Sequence, residues 1–203
     1  MLIRRPSTVA VLALVLTALA PRPARAWDET GHMVVARIAW SELSPRVRAQ
    51  VTALLSQAPD DAGLAQLRPA AGDSAGDELF VERASTWADI IRGREPESRH
   101  AYHRPTWHYH DWFWSESADG TIVESTTLHA DSANILTELD RQSGIVRDTA
   151  ASAADRAIAL AWVLHLAGDI HQPLHASGRV TADEPAGDKG GNTFTLEAKM
   201  SLH

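Results

Sequence analysis

The stretch His165-Leu166-Ala167-Gly168-Asp169-Ile170-His171-Gln172-Pro173-Leu174-His175 decides how the rest of the chain is read. His165 and Asp169 stand four residues apart at the end of an apolar helical segment, so their side chains project from one face. Pro173 breaks that helix and lets His175 turn back toward the same face. Two imidazoles and a carboxylate converging within eleven residues supply nitrogen and oxygen ligands for zinc or a similar ion. The same spacing also fits a plain helix-end pair, with His165 bonded to Asp169 and the other histidines solvated. Residues elsewhere in the chain bear on the choice.

Working outward, Ser152 with Asp155 three residues on opens the long apolar helix that ends at this stretch. Near the other end, Met33, Val34, Ile38, Ala39 and Leu43 form a helical stripe over Trp27 to Leu43. Ser44-Pro45 caps a second helix that reaches Ser56. Residues 58–77, rich in Ala, Gly, Pro and Asp, read as a loop. Phe80, Ala84, Trp87, Ala88 and Ile91 predict one helix, stopped at Gly93. Residues 95–120 are aromatic and histidine-rich, and are expected to be irregular with a short extended piece. Leu128 to Leu139 predicts a further helix, and only Asn192 to Lys199 alternates like a strand. The expected class is mainly α.

A chain of 203 residues suits one domain with a substantial core. Residues 1–26 read as a signal peptide: Arg4 and Arg5, then the apolar run Val9 to Ala20, then the cleavage site Ala24-Arg25-Ala26. The apolar run is too short to span a bilayer, so the mature chain is expected to begin at Trp27 and to be secreted or periplasmic. With no cysteine, the staple available to an exported chain is a metal. Without its signal the chain has 15 basic against 26 acidic residues, a net charge of −11. That balance argues against a broad basic groove for nucleic acid, but not against a metal-centred phosphate site, where bound cations reverse the field.

Several distant residues could join the central stretch. The α-amine of Trp27 becomes a nitrogen donor once deprotonated, and His32 lies five residues later. Asp89 puts a carboxylate on an otherwise apolar helix, which is costly to bury without a partner. His108 stands in Trp107-His108-Tyr109-His110-Asp111. These residues, with Trp27-x-x-x-Gly31-His32, Trp87-Ala88-Asp89, His165-x-x-Gly168-Asp169-x-x-Gln172-Pro173-Leu174-His175, Gly190-Gly191-Asn192 and Leu202-His203, resemble the S1/P1 nuclease family of zinc-dependent phosphodiesterases. The resemblance covers residues 27–203, read as one catalytic domain.

It implies an all-α fold of the phospholipase C/P1 nuclease type holding three zinc ions. One zinc would take Asp89, His108, His165 and Asp169. A second would take the amine and carbonyl of Trp27 with His32 and Asp169, which bridges the pair. The third would take His175, His203 and an aspartate four residues past His203, where the sequence has stopped. The expectation is therefore a member truncated at its C-terminus, missing its C-terminal helices and the third-zinc carboxylate. Asp89 and Asp169 are the implied catalytic carboxylates, and Tyr109 and Asp111 the implied lining of a base pocket.

The implied activity is hydrolysis of single-stranded DNA and RNA to 5′-phosphate products, with removal of 3′-phosphates from nucleotides, by a monomer that does not insert into membranes. The chemistry suits the residues. Two ions sharing a carboxylate lie ~3.5–4 Å apart and activate water for in-line attack on phosphorus. The chain has no cysteine and no G-x-S-x-G elbow to supply a nucleophile of its own. Two alternatives stand beside this reading: a zinc phospholipase C of the same fold, and an inactive truncated remnant that binds zinc or nucleotide. The five-residue step from Trp27 to His32 favours the nuclease. His100, His103, His110, His129 and His171 match no ligand position, and Trp40, Trp112, Trp114 and Trp162 are expected in the core.

Overall fold

A computed structural model describes residues 29–70 and 74–194 of the protein; residues 1–26, expected to be a signal peptide, and Trp27 and His203 lie outside them. The organising element is helix α7 (Ala153–Asp169). Ser152 caps it by accepting from the Asp155 amide at 3.0 Å, and its hydroxyl donates to the Asp155 carboxylate at 2.6 Å. Ala157, Ala161, Trp162, His165 and Leu166 are buried along it. Around α7 pack α1 (Glu29–Glu42), α2 (Pro45–Leu55), α3 (Ser74–Ala84), α4 (Trp87–Ile90) and α6 (Ile135–Arg147), while α5 (Pro96–Tyr102) lies further out. The shared core is built from Leu55, Leu64, Phe80, Trp87, Ile91, Trp162 and Leu166, all fully buried. Trp87 meets Trp162 edge-on with ring centroids 5.9 Å apart, and its indole N–H donates to the Ala62 carbonyl at 2.7 Å.

Several elements differ from their expected bounds, each for a local reason. Residues 58–77 hold two 3-10 turns, Asp60–Ala62 and Ala65–Leu67, and α3 has already begun at Ser74. The expected helix through Phe80 and Ile91 is two helices. The hydroxyls of Ser85 and Thr86 bond back to the Glu82 and Arg83 carbonyls at 2.6 and 2.8 Å, and the chain turns there. α5 falls in the stretch expected to be irregular, because its seven residues are too few to show a period. The helix expected over Leu128 to Leu139 instead starts after Asn134, which forms a capping box with Thr137, and runs to Arg147. Asn192 to Phe194 are not a strand, and the rest of that expected strand falls outside the described residues.

The strands are elsewhere: β1 (Trp112–Glu116), β2 (Ile122–Glu124) and β3 (Ser177–Arg179), in the order β2-β1-β3. β1 and β2 form an antiparallel hairpin, whereas β1 and β3 run parallel, with Trp112 opposite Ser177. The helical class stands, with this small sheet added. Its parallel pair ties the segment after His108 to the segment after His175, through a bond from the His110 amide to the His175 carbonyl at 2.8 Å. Trp40 and Trp162 are buried as expected, but Trp114 is half-buried and Trp112, the first residue of β1, is 46% exposed. No helix of the described residues is long and apolar enough to cross a membrane.

Candidate metal centre

Five separate segments deliver side chains to one point. The last turn of α7 supplies His165 and Asp169, and the 3-10 turn Pro173–Ala176 supplies His175. α1 supplies His32 from its first turns, α4 supplies Asp89, and the 3-10 turn Pro105–His108 supplies His108. His32, His108, His165, Asp169 and His175 are buried, and Asp89 is half-buried. All but the fully buried His165 line an open cavity of about 580 Å³, whose wall also includes Glu29, Arg92, Tyr109 and Asn192.

Asp169 organises the cluster, because its two oxygens face different imidazoles. Oδ2 lies 2.9 Å from His108 Nδ1 and 3.1 Å from His165 Nε2. Oδ1 lies 3.3 Å from His32 Nε2 and 3.4 Å from His175 Nδ1. His108 Nδ1 and His165 Nε2 are themselves 2.9 Å apart. The rings of His32 and His165 stack with centroids 4.1 Å apart. Asp89 Oδ2 is 3.8 Å from His32 Nε2, and its other oxygen pairs with Arg92.

The protonation pattern follows from this geometry. Burial alone would raise the pKa of Asp169, but the charge of His165 and hydrogen bonds from His108, His165 and His32 hold it far below the usual carboxylate range. His165 is pushed down by burial and up by Asp169, Asp89 and the Ser85 carbonyl, and ends above the ordinary imidazole value. Burial dominates at His108 and holds it below that value. His165 Nδ1 bonds to the Ser85 carbonyl at 2.8 Å, which orients Nε2 into the cluster. The turn at Ser85 makes this bond available, since the Asp89 amide bonds to Thr86 and not to Ser85.

These residues fit a bound divalent cation. Two triads, His32–His165–Asp169 and Asp89–His108–His165, each place one ligand atom per residue within 4.8 Å of the others. In a tetrahedral zinc site with bonds of ~2.0–2.2 Å, ligand atoms are separated by roughly 3.3–3.5 Å, close to the spacings seen here. Asp169 Oδ1 is buried, and the imidazole nitrogens of His32 and His175 stand 3.3 and 3.4 Å from it, longer than a well-formed hydrogen bond. The arrangement suits a carboxylate whose oxygen serves a cation better than one satisfied by hydrogen bonds alone.

Two comparisons add to this geometry. The family described as S1/P1 Nuclease matches residues 27–203. The chain belongs to the S1/P1 nuclease family. A comparison with individually curated proteins gave no match. Family membership makes the chain a nuclease-type hydrolase acting on phosphodiester bonds, and the His and Asp cluster is its candidate metal centre.

The structure brings together His32, Asp89, His108, His165, Asp169 and His175. The resemblance assigns His175 to a third site with His203, whereas here it faces the same Asp169 oxygen as His32. Tyr109 forms a common wall between the metal cavity and a neighbouring cavity of about 400 Å³; Asp111 lines only the latter, with Asp131 and Lys189. Burial, then the charge of Asp188, raises the pKa of Asp111. Sequence reading missed Ser85 and Arg92. Arg92, three residues past Asp89 on a helical segment, was legible as an i,i+3 partner; the Ser85 carbonyl was not, because no side chain signals it.

Gly168 is needed for contact between α1 and α7. A Cβ there would lie 2.3 Å from His32 Nδ1 and 3.0 Å from its Cε1. Gly168→Ala is therefore expected to displace His32 and weaken zinc binding at least ~10-fold, the lower end for disturbing a ligand's support. Gly144→Ala in α6, where a Cβ meets nothing within 4 Å, should instead stabilise the fold by up to ~1 kcal/mol. Zinc titration against a chromophoric chelator and thermal melts of both variants check the contrast.

Proposed function

We propose that the chain is an exported, zinc-dependent nuclease that hydrolyses single-stranded DNA and RNA to 5′-phosphate products and also removes 3′-phosphates from nucleotides. The observation that carries it is Asp169, with each oxygen turned to its own pair of imidazole nitrogens at the floor of a solvent-open cavity. His32, Asp89, His108, His165 and Asp169 would hold zinc, with Trp27, His175 and His203 completing a set of up to three ions. When bound, zinc supplies Lewis acidity, lowering the pKa of water to ~7 and offsetting phosphate charge.

The chain's own residues do the rest. Asp169 stays ionised and fixes the spacing of the imidazoles around it. Ser85 holds His165 in the tautomer that turns Nε2 inward. Arg92 presents a guanidinium on the cavity wall, suited to a phosphate oxygen. The cavity wall carries no serine, threonine, cysteine or lysine among the described residues, which supports a reading in which the attacking group is water. Tyr109 offers an aromatic face on the same wall, and a base from an unpaired strand can lie against it without the cost of opening a duplex.

The test is a rate comparison on the zinc-loaded protein. Denatured DNA and RNA should be cut much faster than duplex DNA, leaving 5′-phosphate ends. Faster hydrolysis of phosphatidylcholine than of single-stranded DNA would hand the site to a phospholipase, and no turnover of either would favour a binding remnant.

A further inference from the structure

Segment 92–104 concentrates positive charge beside the candidate centre. It holds Arg92, Arg94, Arg99 and Arg104 with His100 and His103, against Glu95 and Glu97, in a chain of net charge −7. Arg92 stands on the wall of the metal cavity. From there the chain passes through the 3-10 turn Ile91–Gly93 into α5, where Glu97, Arg99 and His100, with His103, line another open cavity of about 650 Å³.

Two of these arginines are committed to the protein itself. Arg94 donates to Gln66 and to the Gly63 carbonyl, and Arg104 to the carbonyls of Ala101 and His103. Arg99 and His100 are exposed, and their side chains make no hydrogen bond or ion pair among the described residues. His103 sits where the charges meet. Burial first, then the charges of His108, Arg92, Arg99 and Arg104, push it below the ordinary imidazole value, and its Nδ1 is buried without a hydrogen-bond partner. Glu97 offsets part of this charge inside the cleft, but the segment as a whole carries four guanidinium groups against two carboxylates, and a polar cleft in a locally positive segment holds an anion when one is supplied.

The geometry points to a phosphate track: the cleft of Arg99, His100 and His103 binds backbone phosphates of a single strand whose reacting linkage lies in the metal cavity. This rests on the nuclease reading, and Arg92, on the wall of the metal cavity, stands seven residues before Arg99 in the chain. The track gives an acidic protein a local hold on a polyanion, and it lengthens the bound strand beyond the reacting linkage.

The test is a binding titration of the zinc-loaded protein against Arg99→Gln/His100→Gln and Arg99→Glu, all changes at exposed positions. The probe is a phosphorothioate oligothymidylate of about 15 nucleotides, which keeps its charge and resists cleavage, with a phosphorothioate dinucleotide as the short comparison. The double variant should bind the oligomer roughly fivefold more weakly. Its dependence of log Kd on log salt should flatten by ~0.7 for each phosphate the cleft no longer holds. Arg99→Glu should go further in the same direction, and dinucleotide affinity should not change. Unchanged oligomer affinity and salt slope in both variants would overturn the track, as would an equal loss for the dinucleotide. Cleavage of ordinary single-stranded DNA by the unaltered protein is measured alongside. Its absence would sink the nuclease reading while the titration still decides the track.

Discussion

Asp169→Asn is expected to lower kcat by more than ~100-fold while far-ultraviolet circular dichroism stays unchanged. Loss of a group that merely supports a metal ligand costs ~10–100-fold, and Asp169 is placed as a ligand shared between two sets of imidazoles. An amide keeps the shape but offers one acceptor oxygen, and its NH2 would point donors at ring nitrogens that need an acceptor or a cation. It also removes the charge that offsets His165. Bound zinc, measured by elemental analysis, should fall together with kcat. Asp111→Asn is the contrast. Asp111 lines the neighbouring cavity and not the metal floor, so its loss should raise KM and leave kcat within roughly threefold. Equal losses of kcat in the two variants would contradict the separate roles.

Exhaustive chelation is the second large effect. Packing and a few hydrogen bonds otherwise join the five segments at the site, and the described residues contain no disulfide. A single zinc present at a thousand times its Kd stabilises the folded state by ~4 kcal/mol. At ~2–4 °C per kcal/mol for a chain of this size, its removal should lower Tm by roughly 8–16 °C per site and abolish activity. Adding zinc back should restore both, and a chelated protein that keeps its Tm and its activity would dispose of the zinc reading. Acid should act in the same direction, because the imidazoles must be neutral to hold metal. Asp169 contributes little to that loss. Its folded pKa is depressed by His165 and its hydrogen-bond donors against burial, so its stabilisation is full above about pH 4 and is lost only as pH falls further, through the folded value.

The candidate metal site was partly legible because part of it is local. His165 and Asp169 are one helical turn apart, so backbone periodicity alone brings those side chains together, and Pro173 ends the helix so that His175 can turn back. Ser152 and Ser44 mark two helix starts through hydrogen bonds within a few residues. Such features need only neighbouring atoms. The break at Ser85 and Thr86 was hidden because an apolar stripe runs straight across it, and burial is the same whether one helix or two carries it. The short extended piece expected within residues 95–120 is β1, but β3 and its pairing with β1 were hidden because Trp112 and Ser177 pair across 65 positions of chain.

What the sequence by itself determined is the mainly helical class, the pair His165 and Asp169, and a set of distant residues of the right chemistry to join them. Only the tertiary structure decided that they do meet. His108 reaches Asp169 across 61 positions, the Ser85 carbonyl reaches His165 across 80, and His32 reaches the cluster because Gly168 leaves room for its ring. It also turned His175 toward the oxygen that His32 faces, and set Arg99, His100 and His103 along one cleft. The reason is that spacing along a helix follows from the backbone, whereas contact between segments depends on how α1, α4 and α7 pack around a common core. That packing comes from the whole chain burying its apolar surface at once, so no single stretch contains it.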